Sequence, residues 1–185
     1  SLDVEKLLMP PRYVSGEVQT GGKDWLLKFE SPPQAERFWL VTADDANFGA
    51  ILSEAQPTQA QVLAPGLSSK SVFYQWASIS ATGLMGQSQD YAVCKGYKRL
   101  DQWRCNVPMN MTGLVNPTLL FQKVEEQGRV IELLNGPVES ASNNVLVFRG
   151  LPAGMYRWRI QHEVSATMKA NINGQFELVA IPGAE

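Results

Sequence analysis

The side chains of this chain that are able to do acid–base chemistry centre on His162, its only histidine. An imidazole acts as a general base when a carboxylate orients it and a nucleophile lies within hydrogen-bond reach. Glu163 follows directly, but adjacent residues of a strand face opposite sides of a sheet. Because the sequence identifies no other partner, we predict that His162 is not catalytic and that the protein is not an enzyme.

A second cluster, Asp44, Asp45 and Asn47, carries the oxygen ligands that hard cations such as calcium prefer. No fourth side-chain ligand is spaced to complete an ordinary calcium loop, and Asp and Asn also stabilise turns by bonding to nearby backbone. The sequence holds no phosphate-binding glycine loop, no metal-binding helix motif and no CxxC. We therefore predict no metal site and no cofactor, and we expect a turn at 44–47.

Cys94 and Cys105 are the only cysteines, and they lie eleven positions apart. Without a second pair or a nearby histidine they do not make a zinc site. A disulfide between them would close a loop of about twelve residues and stabilise the fold by roughly 3 kcal/mol in the chain-entropy model. It would also indicate an oxidising compartment. Two reduced thiols are the alternative, and we predict the disulfide.

Four aromatic residues exceed what the inward faces of the predicted strands need, namely Trp39, Tyr91, Tyr97 and Trp103. Exposed rings stack on sugars or anchor a protein partner, whereas rings at a junction between two units pack against each other. Both interpretations stay open.

The densest basic cluster of the chain surrounds two of these rings, and it comprises Lys95, Lys98, Arg99 and Arg104. Such a cluster binds a phosphate chain or a sugar acid, or else forms a solvated linker. We predict that ligand or partner binding involves Trp39, Tyr97, Trp103, Lys98 and Arg99.

Charge is nearly balanced, with 16 Lys and Arg against 18 Asp and Glu, which is not the composition of a nucleic-acid-binding domain. No apolar run approaches the ~20 residues that span a bilayer, and no secretory signal is visible. Glycine and proline are distributed between the apolar runs, where they favour turns, and form no low-complexity tract. We expect a globular protein with no nucleic-acid partner and no transmembrane segment in this chain.

The run LPAGMYRWRI at 151–160 reads as a turn followed by a half-buried strand, because Tyr156, Trp158 and Ile160 alternate with Arg and Gln. A related copy, Tyr74-Gln75-Trp76, occurs 82 positions earlier, and Ser-Ala-Thr follows each copy at 80–82 and 165–167. The repeat predicts two related β units in tandem.

Short strands are predicted every eight to twelve residues with no helix between them, which favours antiparallel sandwiches over a βαβ sheet. We predict an all-β fold with one sandwich at 1–95, a junction at 96–105 and a divergent second sandwich at 106–185. Asn173-Gly174, between runs 167–172 and 175–181, predicts a closing hairpin.

In the first half, a Pro-rich lead at 8–15 and a Trp25 strand precede the run 35–48, which carries an Asp-x-x-Phe turn at Asp45 and Phe48. A turn-strand sequence then ends near Gly86. These motifs resemble the fibronectin-type-III-like repeats of bacterial FecR-domain envelope proteins. The second half matches the LPAGMYRWRI strand of that family but lacks its Trp strand and its Asp-x-x-Phe turn.

The resemblance implies a periplasmic or extracellular bacterial protein whose repeats are non-catalytic spacers or docking surfaces. It also implies tyrosine corners at Tyr74 and Tyr156, in which each hydroxyl bonds to backbone near the preceding turn. Our leading hypothesis is a tandem β-sandwich module that binds another envelope protein. The alternative is a carbohydrate-binding accessory module using Trp39, Tyr97 and Trp103, with a cell-wall glycan or polysaccharide as its ligand.

Overall fold

A computed structural model describes residues 6–19, 21, 24–64, 71–97, 102–124, 130–134, 145–151 and 153–183, with the backbone alone at 95–97, 102–106, 130–134, 145–151 and 180–183. Within these ranges the secondary structure is strands and turns, so the predicted all-β fold is confirmed. The strands are β1 (Arg12–Val18), β2 (Trp25–Glu30), β3 (Ala35–Ala43), β4 (Ile51–Ala55), β5 (Gln61–Ala64), β6 (Val72–Ser80), β7 (Met85–Tyr97), β8 (Gln102–Pro108), β9 (Val115–Val124), β10 (Val130–Leu134), β11 (Val145–Leu151), β12 (Gly154–Glu163) and β13 (Lys169–Gly183).

The chain forms two compact units. The first comprises Ser1–Thr42, Ile51–Gly66 and Tyr74–Asp90, and the second comprises Ala43–Ala50, Leu67–Phe73 and Tyr91–Glu185. Strand β7 therefore contributes residues to both units. The simple boundaries predicted from the sequence, 1–95, 96–105 and 106–185, stay a prediction.

The first unit has the strand order of a fibronectin-type-III-like sandwich. One sheet is ordered β1-β2-β5, and the other strands of the unit follow the order β7-β6-β3-β4. In β2 the apolar residues alternate with polar ones, so Leu27 and Phe29 are buried while Lys28 and Glu30 are exposed. The period of two in the sequence therefore decides which face of this sheet joins the core.

Trp76 lies at the centre of the first core and is fully buried. Its ring lies 5.2 Å from that of Phe29 and 5.9 Å from that of Phe38, measured between centroids. The Pro-rich lead is held by a hydrogen bond from the Gln87 backbone N–H to the Leu8 carbonyl. The Tyr-x-Trp pattern thus places the larger ring where strands of both sheets contribute side chains.

The second unit repeats this order in part. Strands β10, β9, β12 and β13 form a continuous path, and β13 then pairs in parallel with residues Tyr91–Tyr97 of β7. Strand β8 pairs with β11 and, at Gly96 and Tyr97, with β7. The core stacks Tyr156 on Phe121 at 5.3 Å between centroids and places Phe176 against both rings.

The hairpin predicted at Asn173-Gly174 is wrong. Strand β13 runs without interruption from Lys169 to Gly183, and Gly174 pairs with Trp158 in the middle of β12. A Cβ on Gly174 would overlap the Trp158 indole, so the residue is glycine because the ring lies across its backbone. The turn of this hairpin instead lies at 164–168, where Val164 N–H donates to the Met168 carbonyl at 2.9 Å.

The two Ser-Ala-Thr copies occupy corresponding places. In the first unit the copy turns the chain from β6 to β7, with Gly83 N–H donating to the Ser80 carbonyl at 2.9 Å. In the second unit the copy turns the chain from β12 to β13. The segment predicted as a junction, 96–105, includes the end of β7 and the start of β8, with residues 98–101 outside the described residues.

Candidate functional site

An exposed strand edge in the first unit is the clearest candidate for recognition. Strand β4 ends its sheet, and all five of its residues are exposed. Ile51 and Leu52 expose 53% and 58% of their surface. An edge strand presents unpaired backbone N–H and C=O groups, and natural sheets usually protect such edges with charge, proline or a cover.

Polar contacts join the neighbouring strand β3 to β4 and the residues after it. The Trp39 indole Nε1 donates to Glu54 Oε1 at 2.7 Å, and Arg37 Nε donates to Gln56 Oε1 at 3.1 Å. Trp39 is half-buried, so part of its ring faces solvent. We call Arg37, Trp39, Ile51, Leu52 and Glu54 together the β3–β4 surface.

The side chains of the other predicted binding residues, Tyr97, Trp103, Lys98 and Arg99, are outside the described part of the structure. Tyr97 and Trp103 lie near the ends of β7 and β8, where the backbone alone is described. Lys98 and Arg99 lie outside the described residues. Tyr91, the fourth surplus ring, is buried in the core of the second unit. Binding through Trp39, Tyr97, Trp103, Lys98 and Arg99 together therefore stays a prediction.

The acidic cluster at 44–47 builds a turn. The Asp45 carboxylate accepts the backbone N–H of Gly49 at 2.8 Å and that of Ala50 at 2.7 Å. Asn47 makes two bonds to the backbone of Asn110, donating to its carbonyl at 2.7 Å and accepting its N–H at 2.8 Å. These contacts engage both oxygens of Asp45 and both polar groups of Asn47 within the protein.

In the part of the chain that is described, no group of three or more His, Cys, Asp or Glu residues is arranged to hold an ion. In that same part, no helix has the length and apolar character needed to cross a membrane.

One acid that the sequence did not single out has an unusual environment. Asp90, on β7, is half-buried, and burial raises its pKa from 3.8 to about 6, while a hydrogen bond with Gln75 opposes the rise. Its residue type gave no sign of burial, because aspartate is mostly exposed in folded proteins. The burial of Asp90 becomes visible only once β7 is packed in the folded structure.

The proposed tyrosine corners lie at the expected places. Tyr74 and Tyr156 are buried near the starts of β6 and β12, each two residues before a buried tryptophan. Burial raises the pKa of the Tyr74 hydroxyl to about 12. The hydroxyl-to-backbone bonds that define a corner stay a prediction.

Cys94 is buried on β7, with its Sγ 3.0 Å from Ser71 Oγ. Strands β7 and β8 pair at Gly96 with Trp103 and at Tyr97 with Gln102. Continuing that antiparallel register by two residues brings position 94 opposite position 105.

Comparisons with known proteins come from solved structures. The chain aligns with the central fibronectin-III array of RIM-binding protein at 11% identity and a TM-score of 0.35, covering 91% of this chain and 62% of that one. It aligns with a segment of two fibronectin type-III domains from chicken tenascin at 14% identity and a TM-score of 0.32, covering 91% of this chain and 99% of that one. No family model and no curated protein matches.

The strand order itself defines the class of the protein. A sheet ordered β1-β2-β5 beside strands ordered β7-β6-β3-β4 is the arrangement of a fibronectin-type-III-like β-sandwich. This fold is used by many unrelated proteins, so it does not fix a ligand.

Proposed function

We propose that this chain is a non-catalytic tandem β-sandwich module of a bacterial cell-envelope protein, acting as a spacer and as a docking surface for another envelope protein. The bacterial and envelope assignments rest on the resemblance of residues 8–92 to repeats of FecR-domain proteins. The docking role rests on the β3–β4 surface.

The observation that carries the docking role is the exposure of aliphatic side chains on β4, whose outer edge pairs with no strand of the described residues. Ile51 and Leu52 stand exposed on β4, where backbone groups are also available for pairing. Ile51 and Leu52 point to opposite faces of the sheet, so a protein segment added along this edge would cover part of each. Full burial of a side chain of this size contributes roughly 1.5 to 3 kcal/mol, which is an upper bound for each. Addition of a strand supplies affinity through backbone bonds and specificity through side chains.

A protein partner fits this surface better than a sugar does. Among the residues whose side chains are described, every aromatic ring is at least partly buried. Trp39 remains partly accessible, but its indole N–H is engaged by Glu54. The carbohydrate-binding alternative requires solvent-facing rings at Trp39, Tyr97 and Trp103 that lie in one plane.

Matched substitutions test the docking surface. We would immobilise the parent chain, Leu52→Glu and Leu63→Glu, and capture proteins from an envelope extract of the organism that encodes the chain. Leu63 is the control because it is also an exposed leucine of the first unit, at 56%, but lies on β5. We expect a discrete protein to bind the parent and Leu63→Glu, with at least tenfold weaker binding to Leu52→Glu.

Equal capture by all three chains, or capture by none, would contradict docking at the β3–β4 surface. Affinity electrophoresis in gels containing cell-wall polysaccharide tests the alternative. Retention of the parent that is lost in Trp39→Ala would favour the carbohydrate-binding module.

The periplasmic or extracellular location is proposed together with a Cys94–Cys105 disulfide. The β7–β8 register supports the bond, since it brings the two positions opposite each other. Intact mass after alkylation, with and without reductant, tests it. We expect no thiol to be alkylated before reduction and two afterwards. Alkylation of both cysteines in the untreated protein would contradict the disulfide and remove the support for an oxidising compartment.

A further inference from the structure

A polar cleft lies at one end of the β9-β12-β13 sheet in the second unit. It has a volume of about 180 Å³, and its lining is made of Asn116, Thr118, Gln161, His162, Glu163 and Lys169. We call it the polar cleft. None of these side chains is apolar, so the cleft has no surface on which an aliphatic or aromatic ligand would be favoured.

An irregularity in strand pairing builds this cleft. Gln161 pairs with Thr118, whereas Glu163 pairs with Val115, so β9 has one residue more than β12 across this interval. Asn116 lies in the extra stretch with φ of 46°, in the left-handed region that Asn tolerates better than most residues. A bulge of this kind changes the direction in which side chains point. The extra residue is on β9, where Asn116 and Thr118 line the cleft together with Gln161, His162 and Glu163 of β12.

The two opposite charges in the cleft face each other across neighbouring strands. Glu163 on β12 is the register partner of Lys169 on β13. Directly opposite residues lie close enough for a Glu and a Lys to pair, yet Glu163 and Lys169 form no ion pair within 4 Å of the kind that joins Lys28 to Glu17. The Glu163 carboxylate and the Lys169 ammonium are therefore both available to a ligand.

We propose that the polar cleft binds a small zwitterion of the α-amino-acid class. Glu163 binds the ligand's ammonium group and Lys169 binds its carboxylate. The amides of Asn116 and Gln161 and the Thr118 hydroxyl supply further hydrogen bonds to the carboxylate. A ligand that carries both charges compensates both cleft charges at once, which a ligand with one charge does not.

The size of the cleft agrees with a ligand of this class. Pockets for drug-sized ligands usually hold roughly 300 to 1,000 Å³, so 180 Å³ restricts the occupant to a smaller molecule. At about 30 Å³ per water, it corresponds to roughly six water molecules. No Trp, Tyr or Phe lines the cleft, which argues against a sugar, since sugars usually stack on such rings.

The single histidine makes the test direct. His162 lines the cleft and is the only histidine of the chain, so its imidazole ring protons report on this site alone. We would titrate the whole chain with L-alanine and follow the His162 ring signals by proton NMR. Parallel titrations with acetate and with methylammonium supply each charge alone. We expect a saturable shift with L-alanine, at an affinity on the order of 1 mM, and at least tenfold weaker responses to the single ions.

Three variants separate the site from general charge effects. Glu163→Gln and Lys169→Gln each remove one charge of the cleft, and we expect each to weaken L-alanine binding about tenfold. Arg157→Gln is the matched control, because Arg157 is an exposed cation of the same strand that does not line the cleft. Its binding should equal that of the parent.

Three results would overturn the proposal. They are the absence of a saturable shift with L-alanine, an equal response to acetate alone, and equal weakening in Arg157→Gln. Urea unfolding of every variant, followed by tryptophan fluorescence, shows whether the fold is retained. All three side chains changed are at least partly exposed, so we expect unchanged midpoints. The docking test above uses the other unit, so either proposal can fail alone.

Discussion

Replacing Asp90 with asparagine should stabilise this protein at neutral pH. Asp90 lies half-buried on β7, and burial raises its pKa from 3.8 to about 6. Its hydrogen bond with Gln75 favours the charged form but does not cancel the cost of removing a carboxylate from water. Asparagine has nearly the same shape, keeps a group that bonds to an amide, and carries no charge at any pH.

The size and sign of the effect follow from linkage. One pKa unit corresponds to about 1.36 kcal/mol, so a rise from 3.8 to about 6 corresponds to about 3 kcal/mol. Solvent screening at a half-buried group lowers this, and we expect about 1 to 2 kcal/mol. Between these two pKa values the folded chain binds more protons than the unfolded chain. The parent therefore loses stability as pH rises from about 4 to about 6.

Urea unfolding across this pH range is the assay, with tryptophan fluorescence as the signal. Asp90→Asn should match the parent near pH 4 and exceed its free energy of unfolding by about 1 to 2 kcal/mol above pH 7. Glu36→Gln is the control, since Glu36 is an exposed acid of β3 in the same unit. A variant less stable than the parent at pH 7, or one with the same pH dependence, would refute the reasoning.

Three further predictions concern the second unit. Gly174→Ala places a methyl group against the Trp158 ring and should cost about 1 to 3 kcal/mol, measured by urea unfolding; an unchanged midpoint would contradict close packing of the ring on the glycine. Asn47→Ala removes both bonds to the Asn110 backbone and should cost about 1 to 3 kcal/mol, with Asn47→Asp between parent and alanine. Asp45→Ala leaves the backbone N–H groups of Gly49 and Ala50 without their acceptor and should lower the free energy of unfolding by about 1 to 3 kcal/mol. Added calcium should leave the thermal midpoint of the parent unchanged.

The strands were predictable where one face is buried. In β12 the residues Tyr156, Trp158 and Ile160 are buried and Arg157 and Arg159 are exposed, as the period of two in the sequence indicates. The same pattern predicted β2. In a strand with one buried face, the sequence shows which side chains point inward, because each inward position must be apolar to contribute to the core.

Local turn chemistry was a poorer guide. Asn173-Gly174 is a strong hairpin signal by residue type, but its neighbours pair through the full length of β13. The glycine is required by a ring that lies 16 positions earlier in the chain, and residue type does not reveal such a contact. Asp90 and the polar cleft were missed for the same reason. Both depend on which strands become neighbours, and the sequence alone does not fix that.

The repeated Tyr-x-Trp pattern places one buried tryptophan in the core of each unit. Trp76 and Trp158 are buried in their own units, and neither indole nitrogen has a hydrogen-bond partner among the described residues. A buried unpaired donor costs about 1 to 3 kcal/mol, so each tryptophan is retained for the apolar area that its ring buries. These rings are therefore part of the cores and are not available to a ligand. The two surfaces proposed for binding, the aliphatic edge at β4 and the polar cleft at the end of β12, lie outside these rings and call for partners of different chemistry.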